Sequence, residues 1–219
     1  VVSVVVNPLP ATYTVTGGGA YCNGASGVHI GLSGSGAGIS YQLKLAGVND
    51  GAPVIGGSGA IDFGLRTSAG SYTVVATDPA TTCTKNMGGT ATVAVNPIPS
   101  TFTVTGGGNY CAGGAGVHIG LSGSTTGVNY QLYRGGATLA GSPMAGTGLG
   151  IDFGAIVIPG IYTVVATDIA AGCSRTMTGS QTVGTTPAPV AYNVIGGGNF
   201  CPGGAGVHVG ISGSAIGVN

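Results

Sequence analysis

A chain of 219 residues is long enough for one or two ordinary domains. Only 5% of its residues are charged, against about a quarter in a typical soluble protein, and the formal net charge is zero. That balance excludes the clustered Lys and Arg that nucleic acid or an anionic membrane surface requires. Glycine interrupts every apolar stretch well short of the ~18 residues of a membrane-spanning helix.

In chain order, residues 1–10 (VVSVVVNPLP) read as the terminal strand of a preceding repeat. Strict alternation then marks half-buried strands. Tyr13 and Val15 alternate with threonines. Val28, Ile30 and Leu32 point one way, and His29, Gly31 and Ser33 the other. Ile39, Tyr41 and Leu43 predict a third strand, and Ile61 and Phe63 another. Tyr72, Val74 and Ala76 follow, and Val93 and Val95 close the set. Gly, Ser, Asn and Pro fill the intervals, as turns require. No segment carries a helical period.

The same pattern then recurs. Cys22 to Cys111 is 89 residues, and Cys111 to Cys201 is 90. IDFG occurs at Ile61 and Ile151, and YTVVATD at Tyr72 and Tyr162. VTGGG at Val15 returns at Val104, and as VIGGG at Val194. The expected division is residues 11–100 and 101–190 as two whole repeats, with 191–219 as the first strands of an incomplete third. A unit of about 90 residues with six or seven short strands predicts an immunoglobulin-like β-sandwich. The class is therefore all-β, in tandem repeats. The short proline-bearing joints VNPLP and VNPIP predict stiff linkers and an end-to-end rod. On this reading the chain is a segment of a longer array.

Each whole repeat carries two cysteines about 61 residues apart. Pairing within repeats, Cys22 with Cys83 and Cys111 with Cys173, accounts for the odd count and leaves the partner of Cys201 outside this stretch. Such a bridge stabilises by roughly 4 kcal/mol in the chain-entropy model and implies an oxidising compartment, hence export. One tension accompanies the pairing. Cys22 precedes the second strand and Cys83 follows the sixth, and in a seven-strand sandwich those loops fall at opposite poles. Zinc is disfavoured, because no C-x-x-C occurs.

His29, His118 and His208 recur in phase on the polar face of a strand. A metal ligand or pH switch is one reading, and a solvent-facing histidine the more economical one. Asp62, Asp78, Asp152 and Asp168 also recur, each isolated in sequence, which suits structural hydrogen bonds better than calcium. The chain has no glutamate, so no Glu–Asp catalytic pair exists. The GGG triplets lack the lysine and following helix of a phosphate loop and read as a bulge or bent strand end. Tyr72 and Tyr162 are either corner tyrosines or plain core tyrosines. No catalytic residue, metal site or cofactor is expected.

The segments YTVTGGGAYCNGASGVHIGLSGS, GVNYQLYRGG, IDFG and AGSYTVVATDPATTC resemble the tandem Ig-like repeats of very large surface adhesins of Bacteroidota, of the gliding-motility type. The resemblance covers nearly the whole chain and implies type IX secretion and a place at the cell surface. It supplies no catalytic residue. The leading expectation is a structural and adhesive segment of an extracellular filament. Its partners would be neighbouring repeats of the same chain, other chains of the fibre, and a surface substrate. The alternative is an array of carbohydrate-binding modules. A sugar would need aromatic platforms, and with no Trp present the candidates are Tyr21, Tyr110 and Phe200.

Overall fold

A computed structural model describes residues 2–218. Val1 and Asn219, the outermost residues of the expected terminal segments, lie outside the described residues. The described chain contains strands and turns and no helix, and so no helix long and apolar enough to cross a membrane. It divides into two compact units. One is the chain as far as Ser100 together with Thr167–Arg175, and the other is Thr101–Ala166 with the chain from Thr176 onward.

The first unit is a sandwich of ten strands. These are β1 (Val15–Gly17), β2 (Gly19–Cys22), β3 (Val28–Leu32), β4 (Ser40–Leu45), β5 (Val48–Asn49), β6 (Val54–Ile55), β7 (Ile61–Arg66), β8 (Gly70–Thr77), β9 (Thr84–Asn86) and β10 (Ala91–Asn96). One sheet has the order β1-β3-β7. The other has the order β2-β10-β8-β4-β5, with β6 on β4 and β9 on β8. Two sheets with this Greek-key order form an immunoglobulin-like sandwich. The alternating residues become the core: Ile30, Tyr41, Leu43, Tyr72 and Val74 are fully enclosed.

The second copy repeats the plan. Its strands are β11 (Val104–Gly106), β12 (Gly108–Cys111), β13 (Val117–Leu121), β14 (Val128–Arg134), β15 (Thr138–Leu139), β16 (Met144–Ala145), β17 (Ile151–Ile156), β18 (Gly160–Asp168), β19 (Ser174–Thr176) and β20 (Gln181–Thr186). They pair as β11-β13-β17 and β12-β20-β18-β14-β15. Ile119, Tyr130, Leu132 and Val164 fill the core.

The glycine triplet is a sheet switch. β1 pairs antiparallel with β3, whereas β2, one residue later, pairs parallel with β10 of the opposite sheet. Gly17, Gly18 and Gly19 make the crossing with φ of +85°, +80° and +125°, a region that L side chains avoid. The bent strand end expected from the sequence is therefore a passage between the two layers.

Tyr72 and Tyr162 are corner tyrosines. Each ring is buried, and each hydroxyl donates to a backbone carbonyl four residues upstream, Ser68 at 2.9 Å and Ile158 at 2.7 Å. Core packing and corner bonding coexist, so the two alternatives were never exclusive. Tyr41 and Tyr130 solve the same problem differently: their hydroxyls accept the N–H of Gly36 at 2.8 Å and of Thr125 at 2.9 Å.

The third copy forms β21 (Val194–Gly196) and β22 (Val209–Ile211), with Val194 opposite Ile211 as Val15 is opposite Leu32. Val194 and Val209 are 73% and 70% exposed, whereas Val15 and Ile30 are 7% and 0% exposed. An isolated strand pair is marginal in water. The amides of β21 and β22 should therefore exchange with deuterium orders of magnitude faster than those of β8 and β18. Equal protection in the monomeric chain would contradict this.

Candidate functional site

The recurring polar residues come together in two places, a His–Asp pair on the outer sheet face and the cysteine-bearing turns. β3 and β7 are antiparallel, with Gly31 opposite Asp62 and His29 opposite Leu65. The register shifts between these pairs, because Phe63 and Gly64 together face Ile30. This is a β-bulge, with Gly64 at φ +85°. A Cβ at Gly31 would stand 2.8 Å from the carbonyl oxygen of Ile61, so the chain packs closely opposite Asp62, and His29, two residues away on the same face, reaches diagonally to the carboxylate. His29 Nδ1 lies 2.8 Å from Asp62 Oδ2, and Gly64 N–H donates to Asp62 Oδ1 at 2.7 Å. The second copy repeats the arrangement with His118, Gly120, Asp152 and Gly154, again at 2.8 Å for both bonds. His208, the corresponding residue of the third copy, lies just before β22 and is exposed.

Both pairs are open to solvent, at about 60% exposure per side chain. Among the described residues no hydroxyl or thiol hydrogen-bonds either imidazole, and no group of three or more metal-binding side chains exists. The arrangement lacks a nucleophile, an oxyanion pocket and a ligand cluster. What it can do is fix the β3–β7 register. Asp62 and Asp152 are held below the ordinary carboxylate range, first by the glycine N–H and then by the histidine. A folded-state pKa below the unfolded value contributes stability that is present above about pH 4 and lost as pH falls through the folded value. Asp62→Asn with Asp152→Asn should therefore flatten the acid limb of stability by a small amount, because both groups are exposed. Urea midpoints between about pH 5 and pH 2.5 would check it, and an unchanged limb would contradict it.

Asp78 and Asp168 also serve the fold. Each caps the turn leading to a cysteine, accepting from the N–H of Ala80 and of Ala170 at 2.9 Å. The structural role expected for all four aspartates holds.

The cysteine pairing differs from expectation. Cys22 is bonded to Cys173, while Cys83, Cys111 and Cys201 are free thiols. The bond lies within the first compact unit, which includes Thr167–Arg175. Arg175 Nη1 also donates to Pro99 O at 3.3 Å in that unit. The register explains why neither within-copy pair forms. Cys22 lies beside Asn96, past the Gly70 end of β8, while Cys83 follows the Thr77 end. The 8 residues of β8 separate them by about 25 Å, and a disulfide tolerates a Cα separation of only ~7 Å. Cys111, beside Thr186, and Cys173, after Asp168, stand at opposite ends of β18 in the same way.

Two of the three candidate platform rings are engaged. Tyr21 and Tyr110 are half-buried against their cores, and their hydroxyls donate to the carbonyls of Thr67 and Val157. Phe200 is 62% exposed. A shallow open groove over β4 and β8 is lined by residues such as Ser40, Gln42, Lys44, Val75 and Thr77, with no aromatic ring.

No family profile matches the chain, and no curated protein matches it. Solved structures do. The fibronectin(III)-like modules of Clostridium thermocellum CbhA are 12% identical, with a TM-score of 0.40 over 80% of this chain and 95% of theirs. The human OSCAR ligand-binding domain is 13% identical, with a TM-score of 0.33 over 80% of this chain and all of its own length. A chain from the complex of a mouse coronavirus receptor-binding domain with its murine receptor is 11% identical, with a TM-score of 0.39. The immunoglobulin-like assignment rests on the strand order and register of this chain itself.

Proposed function

We propose that this chain is a structural and adhesive segment of an extracellular bacterial surface fibre and performs no catalysis. One observation carries the reading. In both whole copies the recurring histidines, aspartates and corner tyrosines are engaged in holding their own copy together: His29 with Asp62, His118 with Asp152, Asp78 and Asp168 in turns, and Tyr72 and Tyr162 at corners. What recurs is a device for folding, repeated, as suits a spacer array. A disulfide supports an oxidising compartment. The resemblance to Bacteroidota adhesins supports secretion by the type IX route and display at the surface. A nearly uncharged surface rich in Gly, Ser and Thr suits lateral association, because little charge must be desolvated when chains meet.

Antibodies raised against this chain should label intact producing cells or fibres shed from them. Labelling only after permeabilisation would overturn the proposal. A glycan array screened with the chain should show no binding. Reproducible binding lost on Tyr110→Ala would replace the structural reading with a carbohydrate-binding one.

A further inference from the structure

We infer that Cys22–Cys173 is one rung of a disulfide ladder, in which the first cysteine of each copy bonds the second cysteine of the following copy. Cys22 is the first cysteine of the first copy and Cys173 the second cysteine of the next. This single rule accounts for all five cysteines. Cys22–Cys173 is the one combination it allows within the chain. Cys111 and Cys201 are first cysteines for which the chain holds no second cysteine of a following copy, and Cys83 is a second cysteine for which it holds no first cysteine of a preceding one.

The free thiols sit in turns already built for the bond. Around the first cysteine, Ala25 N–H donates to Cys22 O at 2.9 Å, Gly114 to Cys111 O at 2.8 Å, and Gly204 to Cys201 O at 2.9 Å. The next residue is tied to the last strand in both whole copies: Asn23 N–H to Asn96 O and Ala112 N–H to Thr186 O, each at 2.8 Å. Around the second cysteine, Asp78 N–H donates to Cys83 O and Asp168 N–H to Cys173 O, each at 2.9 Å. Thr82 and Gly172 then close the turn onto the carbonyls of Asp78 and Asp168 at 2.8 and 2.9 Å. The bonded and unbonded members thus share one backbone geometry. They differ in cover: Cys173 is buried where Cys83 is half-buried, and Cys22 is half-buried where Cys111 is exposed. Opposite poles forbid a bond within a copy, so a partner must come from another copy. Each rung forms from two thiols: the S–S bond is made, and two protons and two electrons pass to a disulfide oxidant such as oxidised glutathione, which leaves as two thiols.

The test inserts a further copy of residues 11–100 between Val190 and Ala191 of the full chain. Cys83→Ser at the native position and Cys22→Ser in the inserted copy leave every cysteine peptide with a single source. After folding in a glutathione redox buffer, alkylation and non-reducing peptide mapping should find two linked pairs, Cys22 with Cys173 and Cys111 with the inserted second cysteine. Cys201 should be recovered alkylated. Cys111 bonded to Cys173, or Cys111 alkylated while Cys22–Cys173 forms, would overturn the ladder. The unaltered chain provides an independent arm. It should show Cys22–Cys173 with three alkylated thiols, and a Cys22–Cys83 bond there would also overturn it.

Discussion

Gly17→Ala should destabilise the first sandwich by about 4 kcal/mol or more, whereas Gly19→Ala, two residues on, should cost no more than about 1–3 kcal/mol. Both positions have positive φ, so both substitutions carry backbone strain. Only Gly17 also meets an obstacle. A Cβ there would stand 2.1 Å from the carbonyl oxygen of His29, while one at Gly19 meets nothing within 4 Å. The His29 carbonyl cannot step aside freely, because it accepts the N–H of Gly18 at 2.9 Å. Moving it would break the bond that turns the chain from one sheet to the other. Urea unfolding of the two variants would decide the matter. Equal costs would mean that φ alone governs the site and that the close approach is unimportant.

The second large effect is expected at the corner. Tyr72→Ala should cost about 3–5 kcal/mol, the range for emptying a buried aromatic site, and Tyr72→Phe about 1–1.5 kcal/mol for the lost hydrogen bond. The hydroxyl gives a further handle. Burial pushes the Tyr72 phenol above its ordinary value, and Tyr162 likewise. A folded-state pKa above the unfolded one means that stability is intact below about pH 10 and declines as pH rises through the folded value, because the unfolded chain gives up the proton first. Tyr72→Phe with Tyr162→Phe should thus be less stable than the parent at neutral pH yet lose less on passing to alkaline pH. Parallel denaturation curves at about pH 7 and pH 11 would test this, and identical alkaline losses in parent and variant would refute it.

Much of this architecture was legible in the residues. Alternation around Ile30, Tyr41 and Val74 identifies core-facing positions, because a strand has only two faces. The turn role of Asp78 could be read because its partners are close in sequence. The His29–Asp62 pair was harder. Its members are 33 residues apart, and their meeting depends on the register and on the bulge between His29 and Gly31. The signal was present, since VHIG and IDFG recur in phase, but recurrence alone does not say which strands are neighbours. The cysteines show the same limit more sharply. A period of about 90 residues is equally compatible with bonding within a copy and bonding to the next. Only the placement of Cys22 and Cys83 at opposite ends of β8 separates the two.

The sheet switch has a consequence for how a copy carries load. Tension entering ahead of β1 passes through Gly17–Gly19 into β2, and tension leaving the copy exits along β10. These two strands run parallel, with Gly19 to Cys22 beside Val93 to Asn96. Pulling the ends apart slides one along the other, so their hydrogen bonds are strained together and must fail together. An antiparallel pair loaded at one end would instead open bond by bond. Each copy is therefore fastened in shear at the place where force would enter and leave it. Stretching single chains should show Ala94→Pro, which removes a backbone donor on the side of β10 that faces β2, yielding at distinctly lower force in the first copy than in the second; equal forces would place the mechanical clamp elsewhere.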